Sequence, residues 1–117
     1  MFSKLLRGLT SRQSPTRIAF DRTGEHVPGC PRGIFTTDPD GSNCRHIRPD
    51  GDSPRWSPDG QWIAFVETTK DNGGLHSVFV MGPAEEEARR LTFHHDVMAT
   101  APAWSPDSKY LAYSLWL

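Results

Sequence analysis

The side chains in this sequence that could do chemistry are histidines and aspartates on three predicted loops. Imidazole and carboxylate groups bind divalent metal ions and move protons near neutral pH. The residues of this kind are His26, Asp71, His76, His94, His95 and Asp96. Adjacent loop residues generally point apart, so His94 and His95 do not have the spacing of a metal site. We therefore expect solvated side chains that contact a binding partner, with no metal and no cofactor.

The sequence has none of the short motifs that mark a nucleophile or a phosphate site. It lacks the Gly-x-Ser-x-Gly elbow of serine hydrolases, the His-Glu-x-x-His zinc helix and a glycine-rich phosphate loop. Ser57 and Ser105 lie in two equivalent turns, where a catalytic serine would have to occur twice. We therefore predict that this chain alone is not an enzyme.

One turn motif occurs twice, 48 residues apart, and organises the strands that position the loops. The motif residues are Trp56, Ser57, Pro58, Asp59 and Gly60 in one copy and Trp104, Ser105, Pro106 and Asp107 in the other. Proline presets φ near −65° at the second turn position, and Gly60 suits the left-handed position that follows. Ser108 stands where the second copy would have glycine, at a cost of about 1 kcal/mol. Each turn therefore joins two strands of a hairpin, and the tryptophans at repeat spacing are expected in the core.

The run that follows the first of these turns is apolar on both faces. Ile63 and Phe65 point to one face of a strand. Trp62, Ala64 and Val66 point to the opposite face. Antiparallel sheets with one solvated face alternate apolar and polar residues, so burial on both faces indicates small sheets stacked between like neighbours. A β-propeller, in which four-stranded blades pack radially, has this arrangement.

The repeated runs predict nine strands joined by hairpins, which are therefore antiparallel. If the four strands of one repeat are called a, b, c and d, the order along the chain is b–c–d, a–b–c–d, a–b. The three units are predicted over residues 17–48, 53–92 and 101–117. We thus expect an all-β fold with about two and a quarter blades of a propeller.

The motif Trp-Ser-Pro-Asp-Gly is followed by the segments Ile-Ala-Phe, Val-Phe-Val-Met and Arg-Arg-Leu-Thr. This order resembles the WD40-like repeat of TolB-type six-bladed propellers. The same blade occurs in the propeller domains of prolyl-oligopeptidase-type and tricorn-type peptidases. The resemblance covers the chain from residue 17 onward and implies a partial TolB-like propeller. It also implies binding to a protein partner rather than catalysis, and for TolB itself a periplasmic location.

Loops alternate between the two rims of such a propeller. The short a–b and c–d turns share one rim, which we call the short-turn rim. The longer b–c and d–a loops share the other, which we call the long-loop rim, over residues 21–32, 67–76 and 93–99. Binding residues concentrate on loops held by a rigid scaffold. We therefore predict that the binding face is the long-loop rim, which carries the histidines and aspartates named above.

Charge and hydropathy restrict the partners and the location. The net charge is −1, which gives no reason to expect a nucleic acid. No run approaches the roughly 20 apolar residues of a membrane span. Residues 1–16 are basic but lack the hydrophobic segment of a secretory signal, so we predict a flexible N-terminal leader. The location stays open, and would be periplasmic or secreted if the resemblance to TolB carries over.

The predicted number of blades leaves apolar blade faces uncovered, because a closed propeller needs roughly four to eight blades. Either the chain is a fragment of a longer protein, or copies of it associate through these faces. The leading hypothesis is a non-catalytic scaffold for protein interaction. The alternatives are the propeller portion of a serine peptidase whose catalytic domain is absent, and a small oligomeric ring that binds a ligand.

Overall fold

A computed structural model describes residues 17–23, 28–29, 31–83 and 87–117. Within these ranges nine β-strands follow the predicted order, together with one short 3₁₀ helix, η1 (Lys70–Asn72). The strands are β1 (Ile18–Arg22), β2 (Gly33–Thr37), β3 (Arg45–Arg48), β4 (Asp52–Trp56), β5 (Ile63–Thr69), β6 (Leu75–Met81), β7 (Arg89–Arg90), β8 (Met98–Trp104) and β9 (Leu111–Trp116). The leader predicted over residues 1–16 and the rim residue His26 lie outside the described residues. The described ranges contain no helix that could span a membrane.

The strands form three separate antiparallel sheets of three, four and two strands. Sheet 1 has the order β1-β2-β3, sheet 2 the order β4-β5-β6-β7, and sheet 3 contains β8 and β9. These sheets correspond to b–c–d, a–b–c–d and a–b, so the prediction of an all-β partial propeller is confirmed. The repeats also share their register, since Trp56 pairs with Ile63 as Trp104 pairs with Leu111.

Strand β5 is buried on both faces because sheet 2 lies between the other two sheets. Ile63 and Phe65 pack against residues of sheet 1, among them Ile34. On the opposite face, Val66 packs against Ala99 of sheet 3. Each of these side chains is at most 1% exposed. Removal of apolar surface from water at the two junctions therefore stabilises the stack of sheets that holds the loops.

The first strand of each repeat contains a bulge that the sequence pattern did not predict. Ser53 in β4 has a φ of 54° and Ala101 in β8 has a φ of 53°, and each directly precedes a proline. The pairing register shifts across these residues in both sheets. Positive φ is uncommon for residues other than glycine. Because the same strained geometry occurs in both copies, the bulge is part of the repeat.

The loop between strands b and c of sheet 2 is shorter than predicted. Strand β5 continues to Thr69 and β6 begins at Leu75, so only residues 70–74 remain outside the strands. Gly73 and Gly74, with φ of 63° and 80°, reverse the chain after η1. The prediction of a loop over residues 67–76 was therefore wrong at both ends, and His76 lies in β6.

Glycine is required at two positions where backbone and core come close together. At Gly33, where φ is 120°, a Cβ atom would lie 1.9 Å from the carbonyl oxygen of Arg48. At Gly51, where φ is 99°, a Cβ atom would lie 3.1 Å from the Phe65 ring and 3.3 Å from Ile34. The first glycine allows β2 to pair closely with β3, and the second allows the chain to cross from sheet 1 to sheet 2.

Candidate functional site

The long-loop rim is formed by residues at the ends of strands in the three sheets. Among the predicted rim residues, Asp71 lies in η1, His76 in β6, and the loop between β7 and β8 contains His94, His95 and Asp96. A side chain joins two of these segments, because Asn72 Nδ2 donates to the carbonyl oxygen of Val97 at 2.9 Å. Asn72 is only 2% exposed. The segment with Asp71 is therefore fixed beside the loop with the two neighbouring histidines.

His76 lies at the junction of sheets 1 and 2. Its Nε2 atom is 3.7 Å from Oδ2 of Asp52. These two side chains border a polar cleft of about 100 Å³ on the long-loop rim, which is also lined by Arg22, Arg32, Asp50 and Glu67. Both arginines and Asp50 are exposed, and none of the three forms an ion pair with a described residue. The cleft therefore presents charges of both signs to solvent.

Asp71 is paired with Arg90, which is not among the predicted rim residues. Arg90 Nη1 donates to Oδ2 of Asp71 at 2.6 Å, and this hydrogen bond is the main cause that holds the pKa of Asp71 below its ordinary value. Arg90 Nε also donates to the carbonyl oxygen of Thr92 at 2.6 Å. Its guanidinium lies 4.7 Å from the centre of the Phe93 ring, which is 67% exposed. Arg90 thus positions both an aspartate and an aromatic ring on the rim.

The loop between β7 and β8 presents polar side chains next in sequence to Phe93. His94 Nε2 lies 3.1 Å from the hydroxyl of Tyr113 in β9. His95 and Asp96 are exposed, and Asp96 has a φ of 58°. In the described ranges, no three histidine, cysteine, aspartate or glutamate side chains are grouped so as to hold a metal ion. The groups that this loop offers to a ligand are hydrogen-bonding and charged side chains.

The two Ser-Pro-Asp turns on the short-turn rim have the same hydrogen bonds. Ser57 Oγ donates to Oδ1 of Asp59 at 2.6 Å and accepts from the backbone N–H of Trp62 at 3.0 Å. The same Oδ1 accepts from the N–H of Gln61 at 3.0 Å. The second turn repeats these three bonds at 2.6, 2.9 and 3.0 Å. The serine and aspartate of each turn are therefore occupied in closing a hairpin.

Two hydrogen bonds connect the hairpin that contains the second copy of the motif to the hairpin that contains the first. Trp104 Nε1 donates to the carbonyl oxygen of Arg55 at 3.0 Å. The N–H of Asp59 donates to Oγ of Ser108 at 3.0 Å. Ser108 has a φ of 63°, so it occupies the left-handed position that the sequence predicted to be strained. Its hydroxyl accepts a hydrogen bond from the neighbouring sheet, a contact that glycine could not make.

Replacement of Ser57 by alanine is expected to raise the pKa of Asp59 toward its ordinary value. Hydrogen bonds from the Ser57 hydroxyl, and then from the Gln61 N–H, hold this pKa low. A depressed pKa in the folded state contributes stability above the unfolded-state pKa, and this contribution is lost as the pH falls through the folded value. The Ser57→Ala variant should therefore lose less stability than wild type on acidification below about pH 4. NMR titration of the carboxyl carbons and thermal melts across the acid range measure the two effects.

The second turn supplies the matched control for this titration. Ser105→Ala should raise the pKa of Asp107, which the Ser105 hydroxyl holds low, and should leave the pKa of Asp59 unchanged. An Asp59 carboxyl that titrates at the same pH in wild type and in Ser57→Ala would contradict the role given to the serine.

Comparison with known proteins shows similarity to segments of larger proteins. The Tol-Pal system protein TolB of Desulfosudis oleivorans is 31% identical over 103 residues, which are 86% of this chain and 22% of that protein. TolB of Alcanivorax borkumensis is 35% identical over 63 residues, which are 54% of this chain and 14% of that protein. The uncharacterized peptidase YuxL of Bacillus subtilis is 35% identical over 66 residues, 55% of this chain and 9% of that protein. No family model matches the chain.

The chain spans between 9% and 22% of the length of these curated relatives. Because no family model matches, membership of the Trp-Ser-Pro-Asp-Gly repeat family stays a prediction. The fold agrees with the alignments on the general architecture. The chain that is similar to two TolB proteins forms three stacked antiparallel sheets. Over most of its length, the chain is similar to a propeller-type segment of TolB.

Proposed function

We propose that this chain is a non-catalytic propeller segment of a longer TolB-like protein, and that it serves as a scaffold whose long-loop rim binds a protein partner. The observation that carries the proposal is the hydrogen bond from Asn72 to Val97. This bond fixes two rim loops side by side, so that Asp71, Phe93 and His95 belong to one supported surface.

The chemistry of this surface suits a protein partner. Arg90 holds Asp71 on one side and stacks near the exposed Phe93 ring on the other. Aromatic and arginine side chains are enriched at protein–protein interfaces, and the periphery of such an interface is polar. A surface whose side chains are already held in place loses less conformational entropy on binding than a mobile loop does.

The similarity to TolB supports a role in binding and a periplasmic location. The two aligned TolB proteins are named as components of the Tol-Pal system, so each works together with other proteins. We infer that this chain likewise acts by binding another protein, which is a partner of its own. The periplasmic location is part of the same proposal.

Site-specific photocrosslinking from the two rims tests this proposal. A benzophenone amino acid is introduced at Asp71 or His95 on the long-loop rim, and at Asp40 or Gln61 on the short-turn rim as controls. All four positions are exposed. Irradiation of cells that produce the protein should give one recurrent protein adduct from the long-loop positions and none from the controls. Adducts formed equally from both rims, or from the short-turn rim alone, would refute the assignment of the binding face.

The propeller portion of a serine peptidase is the second candidate function, and the similarity to the peptidase YuxL favours it. In that case the chain would gate access to a hydrolase domain encoded beyond residue 117. Reading the gene in that direction distinguishes the two candidates. A Gly-x-Ser-x-Gly segment downstream, whose serine reacts with a fluorophosphonate probe, would favour the peptidase. Further blades followed by a stop codon would favour the scaffold.

A further inference from the structure

The polar cleft between sheets 1 and 2 contains charged side chains that are not neutralised within the described part of the chain. Sheet 1 contributes Arg22, at the end of β1, and Arg32, directly before β2. Asp50 comes from the segment that connects β3 to β4. All three side chains are exposed, and none of them forms an ion pair with a described residue. The cleft therefore offers two guanidinium groups and one carboxylate to a ligand.

The other two carboxylates that line the cleft already have partners. Oε2 of Glu67 accepts a hydrogen bond from Nε of Arg48 at 2.9 Å. Oδ1 of Asp52 accepts from the hydroxyl of the next residue in the chain at 2.8 Å, and its Oδ2 lies 3.7 Å from Nε2 of His76. These contacts hold both carboxylates in place and partly neutralise them. The two arginines and Asp50 are therefore the charges that remain free for a ligand.

The repeat itself does not require arginine at these two positions. When the repeats are aligned, Arg22 corresponds to Glu67 and Arg32 corresponds to His76. By contrast, the segment Ile-Ala-Phe earlier in the same strand is identical in both repeats. The fold thus accepts a glutamate and a histidine where sheet 1 has arginines, so these arginines are not needed to build a blade. Their presence at one cleft is explained better by a ligand than by the architecture.

We propose that this cleft binds a small zwitterion of the chemical class of the free α-amino acids. A guanidinium group presents N–H donors in a fork that matches the two oxygens of a carboxylate. Arg22 and Arg32 bind the carboxylate of the ligand, and Asp50 binds its ammonium group. A ligand with a single charge would leave either the arginines or the aspartate without a partner. A zwitterion provides a partner of opposite charge for both.

The size of the cleft and its fixed backbone favour a ligand of few atoms. Its volume of about 100 Å³ lies below the roughly 300 Å³ at which common ligand pockets begin. Gly33 and Gly51 also line it. The backbone at Gly51 lies against the core, since a Cβ atom there would be 3.1 Å from the Phe65 ring. A backbone that is already in place loses little conformational entropy on binding, so a small ligand can bind with few contacts.

The inference does not rest on the proposed protein partner, although the cleft lies on the same rim. The surface proposed for that partner contains Asp71, Phe93 and His95, and none of these residues lines the cleft. Crosslinking from the rim and amino-acid binding in the cleft are therefore separate measurements. Failure of one of them would leave the other proposal standing.

Titration of the full chain with L-alanine at constant ionic strength, followed by two-dimensional ¹H–¹⁵N NMR, tests the proposal. We expect saturable shifts of the backbone amides of Gly33, Gly51 and Thr68, which line the cleft. Propionate lacks the ammonium group and ethylamine lacks the carboxylate, so these two compounds are the matched controls. Each should bind about 10-fold more weakly than L-alanine, because the hydrogen bonds to one charged group are lost. No saturable shift with L-alanine, or equal affinity for either control, would overturn the proposal.

Substitutions in the cleft assign the two charges of the ligand to their binding residues. Arg32→Gln should weaken the binding of both L-alanine and propionate about 10-fold. Asp50→Asn should weaken L-alanine by a similar factor without weakening propionate, which has no ammonium group. Arg89→Gln replaces an exposed arginine of β7 that does not line the cleft, so it should bind L-alanine as wild type does. All three side chains are exposed, so the melting temperature should stay unchanged. Wild-type affinity for L-alanine in both cleft variants would refute the site.

Discussion

Replacement of Phe65 by alanine is expected to lower the free energy of unfolding by about 3–5 kcal/mol. The ring is fully buried between sheets 1 and 2, in a cluster with Ile34, Ile47 and Met81. It also stacks at 5.6 Å on the ring of Phe79. Alanine would leave a cavity at the junction, because the backbones of two hydrogen-bonded sheets cannot close around it.

This loss would be a large part of the total free energy of unfolding, because domains of ordinary size are stable by only about 5–15 kcal/mol. Urea denaturation followed by tryptophan fluorescence measures the change. Phe93→Ala is the control, since that ring is mostly exposed and should cost less than about 1 kcal/mol, chiefly the contact with Arg90. Similar losses in both variants would mean that sheets 1 and 2 are not held together by this cluster.

Replacement of Gly33 by alanine is expected to destabilise the fold by about 2–5 kcal/mol. Two costs add up at this position. The φ of 120° is unfavourable for a residue with a Cβ atom, and that atom would lie 1.9 Å from the carbonyl oxygen of Arg48. A backbone atom cannot rotate away as a side chain can, so β2 and β3 would have to separate or change register.

Gly41→Ala provides the matched control for Gly33→Ala. Gly41 also has a positive φ, of 86°, but a Cβ atom there would meet nothing within 4 Å. Its replacement should cost about 1–2 kcal/mol from the backbone conformation alone. The difference between the two variants, measured by denaturant unfolding, isolates the steric contact with Arg48. No difference would show that the β2–β3 pairing tolerates an added methyl group.

The features of the fold that could be predicted depend on residues close together in sequence. Pro58 and Gly60 fix the turn locally, and the hydrogen bond from Ser57 to Asp59 spans two residues. The stacking of the sheets could be predicted from one short apolar run, because a strand that is apolar on both faces must be covered by other residues on both faces. These constraints act within a few residues, so they are visible without knowledge of the tertiary structure.

The features that escaped prediction depend on contacts between distant parts of the chain. The bulge at Ser53 is stabilised in part by its N–H donating to Asp21, which lies 32 residues earlier. The pairing of Asp71 with Arg90 spans 19 residues. The junction of the rim loops depends on Asn72, whose small polar side chain gave no signal in the sequence. For the rim, the sequence could therefore indicate which residues lie in loops but not which loops touch.

The bond from Trp104 to Arg55 has a consequence for how chains of this type can lengthen. The bond joins two repeats, and its donor and its acceptor occupy adjacent positions of the 48-residue repeat. Each repeat therefore contains both the donor and the acceptor that this contact between neighbouring repeats requires. A tandem duplication of one repeat would therefore add a blade that can form this hydrogen bond with the blade on either side, and no compensating mutations would be needed. Growth and shrinkage by whole units should be the easiest evolutionary changes open to such a gene.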